Sequence, residues 1–135
     1  MEKILVQDSD CELLDTIRMA LEMEHFQVHT ILDFDVDFLS IIDEFRPHVV
    51  MLDYKFNGDQ AKEICEKIKE RYPYLPVIAL SCNNNIHEDY NKNGFDDYIT
   101  KPFDLDLLYR ILRKHISNPA EVKKIIEDVK KEDES

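Results

Sequence analysis

The sequence predicts an α/β fold: a (βα)5, doubly wound sheet of five parallel strands. Three observations predict it. Short apolar segments alternate along the chain with longer segments of helical periodicity. The apolar segments are continuous rather than alternating, which is typical of strands buried on both faces. The chain has 135 residues, 44% of them hydrophobic and 34% charged, which suits one globular domain.

The five predicted strands are short and rich in aliphatic residues. The third and fourth are wholly apolar, whereas polar residues interrupt the second and make it the poorest of the five. In chain order, the strands are predicted at residues 4–6, 26–31, 49–52, 77–80 and 98–100.

Each predicted strand is followed by a segment with helical periodicity. Within residues 59–71, for example, Ala61, Cys65 and Ile68 fall on one helix face. The segment at 83–93 is rich in Asn and predicts at best a short, weak helix. The predicted helices are at residues 10–24, 35–45, 59–71, 83–93 and 104–116.

Residues 118–135 carry a separate helix signal. Asn118 suits an N-cap and Pro119 suits the first helical position. An apolar stripe at helical spacing follows, and we expect it to pack on this domain, pair with a second copy in a homodimer, or begin a linker. The stripe is Val122, Ile125, Ile126 and Val129. We therefore predict a domain at 1–117 and a helical extension or linker at 118–135, with no output domain.

Charge and composition exclude several classes of function. The net charge of −12 argues against binding to nucleic-acid phosphates or to an anionic membrane surface. No apolar run approaches the roughly 20 residues of a membrane span, and no signal peptide is evident. The three cysteines, at unrelated spacings, predict neither a disulfide framework nor a structural zinc site. We expect a cytoplasmic protein without direct contact to nucleic acid or membrane.

Polar residues stand where the predicted strands end. Asp8 and Asp10 follow the first strand, Asp53 closes the third, Ser81 the fourth and Lys101 the fifth. In an open parallel sheet, the carboxyl ends of the strands form the ligand-binding edge. Clustered carboxylates favour a hard cation such as Mg²⁺, and a carboxylate beside Mg²⁺ is a nucleophile towards phosphorus. Lysine and serine side chains bind phosphoryl oxygens, so this edge predicts phosphoryl transfer.

Four segments, in this order and spacing, resemble the receiver domain of two-component response regulators. They are KILVQD at 3–8, PHVVMLD at 47–53, PVIALS at 76–81 and GFDDYITKPF at 94–103. The resemblance covers residues 3 to about 117. It implies the flavodoxin-like strand order 2-1-3-4-5, in which strands one and three are neighbours. It also implies a sensor histidine kinase or phosphotransfer protein as phosphoryl donor, and a downstream protein that the sequence does not identify.

The resemblance implies a role for each residue that transfers or senses the phosphoryl group. Asp53 matches the phospho-accepting aspartate, and Lys101 matches the lysine that contacts the phosphoryl group. Ser81 matches the residue that follows the phosphoryl group on activation, and Tyr98 matches the aromatic switch residue. The Lys101–Pro102 peptide bond is expected to be cis.

The resemblance also implies a Mg²⁺ site, with one departure from the family pattern. Asp8, Asp53 and the backbone carbonyl of Lys55 match its ligands. The second acid of the family's pair falls on Ser9, which is neutral and a poorer ligand, so weak binding is expected. Asp10 is a further candidate ligand, although adjacent residues usually point in different directions.

Other functions stay open beside the phospho-accepting receiver. Ser9 favours a pseudo-receiver, an interaction module of the same fold that works without phosphorylation. Asp8 and Asp10 form an Asp-x-Asp pair, as in the nucleophile and acid/base pair of haloacid-dehalogenase-like phosphatases. An FMN-binding flavodoxin is disfavoured, because the acidic loop after the first strand would repel the FMN phosphate. In the leading interpretation the chain is no enzyme beyond self-catalysed phosphorylation and dephosphorylation.

Overall fold

A computed structural model of the chain describes residues 2–55, 58–82 and 94–116. Within these residues, five parallel strands form one sheet in the order β2-β1-β3-β4-β5. The strands are β1 (Lys3–Gln7), β2 (Gln27–Ile31), β3 (Val49–Asp53), β4 (Val77–Ser81) and β5 (Asp97–Thr100). The helices of the described residues are α1 (Cys11–Met23), α2 (Phe38–Phe45), α3 (Asp59–Arg71) and α4 (Leu105–His115). The predicted fold class and strand order are confirmed.

Helix and strand boundaries lie close to the predicted ones, with one larger difference. The helix predicted from residue 35 begins at Phe38, because the Asp37 carboxylate accepts a hydrogen bond from Ser40 N at 3.1 Å and caps the helix there. The predicted weak helix at 83–93 and the predicted helical extension at 118–135 lie outside the described residues.

The core is divided between the two faces of the sheet. Strand side chains alternate, so Leu5 and Val50 pack towards α2 and α3, whereas Ile4 and Met51 pack towards α1 and α4. Every residue of β3 and of β4 is buried. The continuous apolar strands of the sequence therefore reflect a sheet covered on both faces.

The peptide bond and the helix face that the sequence singled out are both seen in the structure. The Lys101–Pro102 peptide is cis, as expected. Cys65 lies on the buried face of α3, and burial raises the pKa of its thiol to about 12, so it packs as an apolar side chain.

No helix in the described part of the chain is long and apolar enough to cross a membrane.

Gly58 shapes the loop that leaves the carboxyl end of β3. Its φ of +78° lies in the left-handed region, where it forms the N-cap of α3. A Cβ atom at this position would lie 2.3 Å from the ring of Tyr54. Any larger residue here would displace Tyr54, which directly follows Asp53.

Candidate phosphoryl-acceptor site

Residues from three strand ends meet at the carboxyl edge of the sheet. β1 and β3 are neighbours, which brings Asp8 and Asp53 together, and their exposed fractions are only 1% and 6%. Lys101 follows β5, and its backbone N–H donates to Ser81 O at 2.7 Å. The Lys101 ammonium reaches both carboxylates, at 2.5 Å from Asp8 Oδ2 and 3.1 Å from Asp53 Oδ1. The structure thus brings together three residues that the sequence predicted for one site.

One ammonium group serves two carboxylates in this cluster. Burial alone would lower the pKa of Lys101, but hydrogen bonding and charge attraction from Asp8, and then from Asp53, outweigh burial and raise it above its ordinary value of 10.5. Lys101 is therefore charged at neutral pH. With both acids ionised, the cluster of Asp8, Asp53 and Lys101 carries one surplus negative charge.

Ser9 lies against the predicted acceptor residue. Its hydroxyl donates to Asp53 Oδ2 at 3.1 Å, and its backbone N–H lies 3.5 Å from the same oxygen. The two oxygens of Asp53 therefore have separate partners: Oδ1 accepts from Lys101 and Oδ2 from Ser9.

Asp10 serves as the N-cap of α1. Its Oδ1 accepts from Glu12 N at 3.0 Å and from Leu13 N at 3.2 Å, while its backbone N–H donates to Asp8 Oδ1 at 2.9 Å. Capping turns one carboxylate oxygen towards the helix. Asp10 nonetheless lines the same cleft, of about 520 Å³, as the other predicted metal ligands. The cleft is lined by Asp8, Ser9, Asp10, Leu13, Asp53, Tyr54, Lys55, Cys82 and Lys101.

The two predicted switch residues lie on neighbouring strands at different depths. Ser81, at the end of β4, is fully buried. Tyr98 of β5 lies beside Ala79 of β4 and is half-buried against the core on the α2 and α3 face. The structure therefore places Ser81 at the carboxyl edge with Lys101. Tyr98 lies two residues before the end of β5, further from that edge.

The donor set of the cleft fits a hard divalent cation, with one charge fewer than a site of three acids. Asp8 and Asp53 supply carboxylate oxygens, and Lys55 lines the same cleft. Among the residues described here, no three acidic, His or Cys side chains lie together as a metal-binding group. The residues that would hold Mg²⁺ are thus two carboxylates and neutral oxygens, and Mg²⁺ accepts such sets by retaining water ligands.

Sequence reasoning missed one residue of this site, Gln7. It is 1% exposed, its Oε1 accepts from Asp53 N at 3.2 Å, and its Nε2 donates to Leu32 O at 3.0 Å. These partners lie 46 and 25 residues away in sequence. No local pattern reveals the contacts, because they depend on the packing of three strands.

A sequence model of the response regulator receiver domain matches residues 4–113. The chain belongs to the response regulator receiver family. Solved structures agree with this assignment. The receiver domain of DrrB, in its BeF₃-activated form, is 33% identical with a TM-score of 0.73, and the match covers 87% of this chain and 99% of that one.

Two further structures are similar over most of this receiver. TrrA from Thermotoga maritima, in complex with Mg²⁺ and BeF, has a TM-score of 0.73 at 22% identity, covering 84% of this chain and 98% of that one. NtrX from Brucella abortus, in complex with ADP, has a TM-score of 0.79 at 27% identity. That match covers 100% of this chain but only 30% of NtrX. The family assignment favours a receiver over the phosphatase alternative built on Asp8 and Asp10.

Proposed function

We propose that this receiver accepts a phosphoryl group on Asp53 from the phosphohistidine of a sensor histidine kinase or phosphotransfer protein. It then signals by contact with a downstream protein. One observation carries the proposal: the Lys101 ammonium lies within hydrogen-bond distance of both Asp53 and Asp8 at the carboxyl edge of the sheet. This arrangement combines a nucleophilic carboxylate with a fixed positive charge, and phosphoryl transfer needs mainly positioning and charge neutralisation.

In the proposed reaction, a carboxylate oxygen of Asp53 attacks phosphorus. The P–O bond to Asp53 forms, the P–N bond of the phosphohistidine breaks, and the leaving imidazole takes up a proton. Lys101, which contacts Asp53 Oδ1, supplies positive charge to the phosphoryl oxygens. Ser81, at the end of the neighbouring strand, is proposed to bind a phosphoryl oxygen. Tyr98 is proposed to change its packing when Ser81 does.

Mg²⁺ is proposed to bind in the cleft beside Asp53. Asp8, Asp53 and the backbone carbonyl of Lys55 would hold it, and Asp10 is the further candidate. When bound, the ion neutralises negative charge on the carboxylates and the phosphoryl oxygens. Because Ser9 brings no charge, we expect weaker binding than in a site with a third carboxylate. Magnesium occurs in the structure of the similar receiver TrrA.

A second candidate function is supported by the contact between Ser9 and Asp53. The Ser9 hydroxyl donates to Asp53 Oδ2 at 3.1 Å, so a neutral side chain contacts the oxygen opposite the one that Lys101 holds. A site in which Ser9 and Lys101 satisfy both oxygens of Asp53 suits a pseudo-receiver that binds its partner without phosphorylation.

Intact mass spectrometry after incubation with acetyl phosphate distinguishes the two functions. We expect one added phosphoryl group on the wild type in Mg²⁺, less in EDTA, and none on Asp53→Asn. Asp43→Asn is the matched control, because Asp43 lies on α2 and pairs with Arg71 outside the cleft. This variant should gain the same mass as the wild type.

A wild type that gains no mass at saturating Mg²⁺ and phosphodonor would favour the pseudo-receiver. Equal labelling of Asp53→Asn and wild type would remove Asp53 as the acceptor.

A further inference from the structure

The side chain of Gln7 links strand ends at the point where the phosphoryl acceptor stands. β1 pairs with β2 and β3 as far as Gln7, and the backbone N–H of Asp8 still donates to Ile31 O at 3.1 Å. β3 continues one residue further, to Asp53. The pairing of Gln7 with Leu52 places the backbone carbonyl of Gln7 beside the Asp53 N–H.

N–H groups alternate in direction along a strand, and the next one shows which way that of Asp53 points. Tyr54 N donates to Leu80 O of β4 at 2.6 Å, so Asp53 N faces β1. There it donates to Gln7 Oε1 at 3.2 Å. The side-chain carbonyl of Gln7 thus adds a second acceptor for this buried N–H, beside the backbone carbonyl of the same residue.

The other end of the same carboxamide reaches the opposite strand. Gln7 Nε2 donates to Leu32 O, the residue after β2, at 3.0 Å. Only this orientation of the amide places its NH₂ group at the carbonyl of Leu32 and its oxygen at the N–H of Asp53. The carboxamide thus links the end of β3 to the residue after β2, across β1.

We infer that Gln7 is a positioning residue for phosphoryl transfer: its carboxamide fixes the backbone of Asp53, and with it the carboxylate held by Lys101. This inference rests on the proposed function of Asp53. An apolar side chain at this position would fill the space but remove both hydrogen bonds of the carboxamide, the one to Asp53 and the one to Leu32. The acceptor would then vary in position relative to Lys101, and such misplacement slows a reaction that depends on geometry.

The test compares Gln7→Met with wild type. Methionine has a similar length and no amide. We expect acetyl phosphate, with Mg²⁺, to phosphorylate Gln7→Met about three- to tenfold more slowly, the range expected when one hydrogen bond is lost. Ile4→Val is the matched control, since Ile4 is a fully buried residue of the same strand that packs on the α1 and α4 face. It should label at the wild-type rate even if its melting temperature falls.

Amide hydrogen exchange supplies a readout that does not need phosphorylation. The Asp53 N–H loses one of its two acceptors in Gln7→Met, and we expect it to exchange about threefold faster relative to the Val50 N–H. Val50 lies on the same strand, and its N–H bonds to Pro76 O, which the substitution does not touch. General destabilisation would accelerate both amides, whereas loss of the Gln7 contact accelerates only that of Asp53. In Ile4→Val the ratio of the two exchange rates should not change.

An unchanged exchange ratio in Gln7→Met would overturn the inference. A raised ratio with labelling no slower than in Ile4→Val would make Gln7 structural only and overturn its positioning role. If the wild type takes up no phosphoryl group, the proposed function fails, and the exchange ratio still decides whether Gln7 holds Asp53.

Discussion

Two clusters of charged side chains in this receiver contain a partly or fully buried aspartate, and they differ in charge balance. At the carboxyl edge, Asp8 and Asp53 share the single ammonium of Lys101. At the β5 edge, the single carboxylate of Asp97 meets His115 at 2.8 Å and Lys114 at 3.4 Å. The first cluster has surplus negative charge, whereas in the second the carboxylate is matched by basic groups.

The pKa of Asp97 reflects this balance. Burial alone would raise it, but hydrogen bonds from His115 and from Tyr98 N, together with Lys114, outweigh burial and lower the pKa below its ordinary value of 3.8. A carboxylate whose charge is matched by neighbouring basic groups has little reason to bind a cation or to attack phosphorus. The comparison teaches that charge surplus, and not burial, distinguishes the proposed acceptor from a structural aspartate.

The largest expected effect is that of removing Lys101. In Lys101→Met, the buried carboxylates of Asp8 and Asp53 lose the one ammonium group that they share. We expect the free energy of unfolding to fall by about 3 kcal/mol. Lys114→Met should cost about 0.5 kcal/mol or less, because Lys114 is 68% exposed and Asp97 keeps His115. Urea unfolding at pH 7 measures both. If both variants lose the same unfolding free energy, the two clusters do not differ in how much their carboxylates depend on a lysine.

Removing one carboxylate from each cluster should change stability in opposite directions. Asp97→Asn should lose about 1.5 kcal/mol, since it weakens charged hydrogen bonds. Asp53→Asn should gain up to about 1 kcal/mol in Mg²⁺-free buffer, because it removes the surplus charge and its amide still suits Ser9 and Lys101. Thermal unfolding, monitored by circular dichroism, measures both. If Asp53→Asn is less stable than the wild type, the cluster of Asp8, Asp53 and Lys101 does not carry a destabilising surplus of negative charge.

Adding a carboxylate to the carboxyl edge should tighten Mg²⁺ binding. In Ser9→Asp, a third negative charge stands beside Asp53, and we expect the Kd for Mg²⁺ to fall about tenfold. Ser9→Ala is the control and should bind no more tightly than wild type. Calorimetric titration measures all three proteins. Unchanged affinity in Ser9→Asp would indicate that Asp10 already completes the site.

The two clusters should also lose their stabilising effect at opposite ends of the pH scale. Asp97 has a lowered pKa in the folded state, so its contribution is present above pH 3.8 and is lost as the pH falls through the lower folded value. Lys101 has a raised pKa, so its contribution is present below pH 10.5 and is lost as the pH rises through the higher folded value.

Differences in unfolding free energy between wild type and variant isolate these contributions. The difference for Asp97→Asn should shrink in acid, and that for Lys101→Met should shrink in alkali. A difference that does not vary with pH in the expected range would show that the aspartate or lysine is not held as the contacts suggest.

The fold was predictable because its signals are local. Continuous apolar segments indicated β3 and β4, and helical spacing indicated α3 with the bounds that the structure shows. The approach of Asp8, Asp53 and Lys101 followed from strand order, since parallel strands end at one edge.

The contacts that could not be predicted are those between distant residues. Gln7 reaches Asp53 and Leu32 only once three strands are packed. The contact of His115 with Asp97 depends on how the end of α4 meets β5. Neither contact has a periodic or motif signal in the sequence.

The site of phosphorylation can be located on the chain itself. After labelling with acetyl phosphate and Mg²⁺, borohydride reduction converts an aspartyl phosphate to homoserine, which tandem mass spectrometry places in the sequence. If Asp53 is the acceptor, homoserine will be found at position 53 alone, with Asp97 unmodified. Homoserine at Asp8 instead would support the Asp-x-Asp nucleophile of the phosphatase alternative, and modification at Asp97 would contradict the claim that charge surplus selects the acceptor.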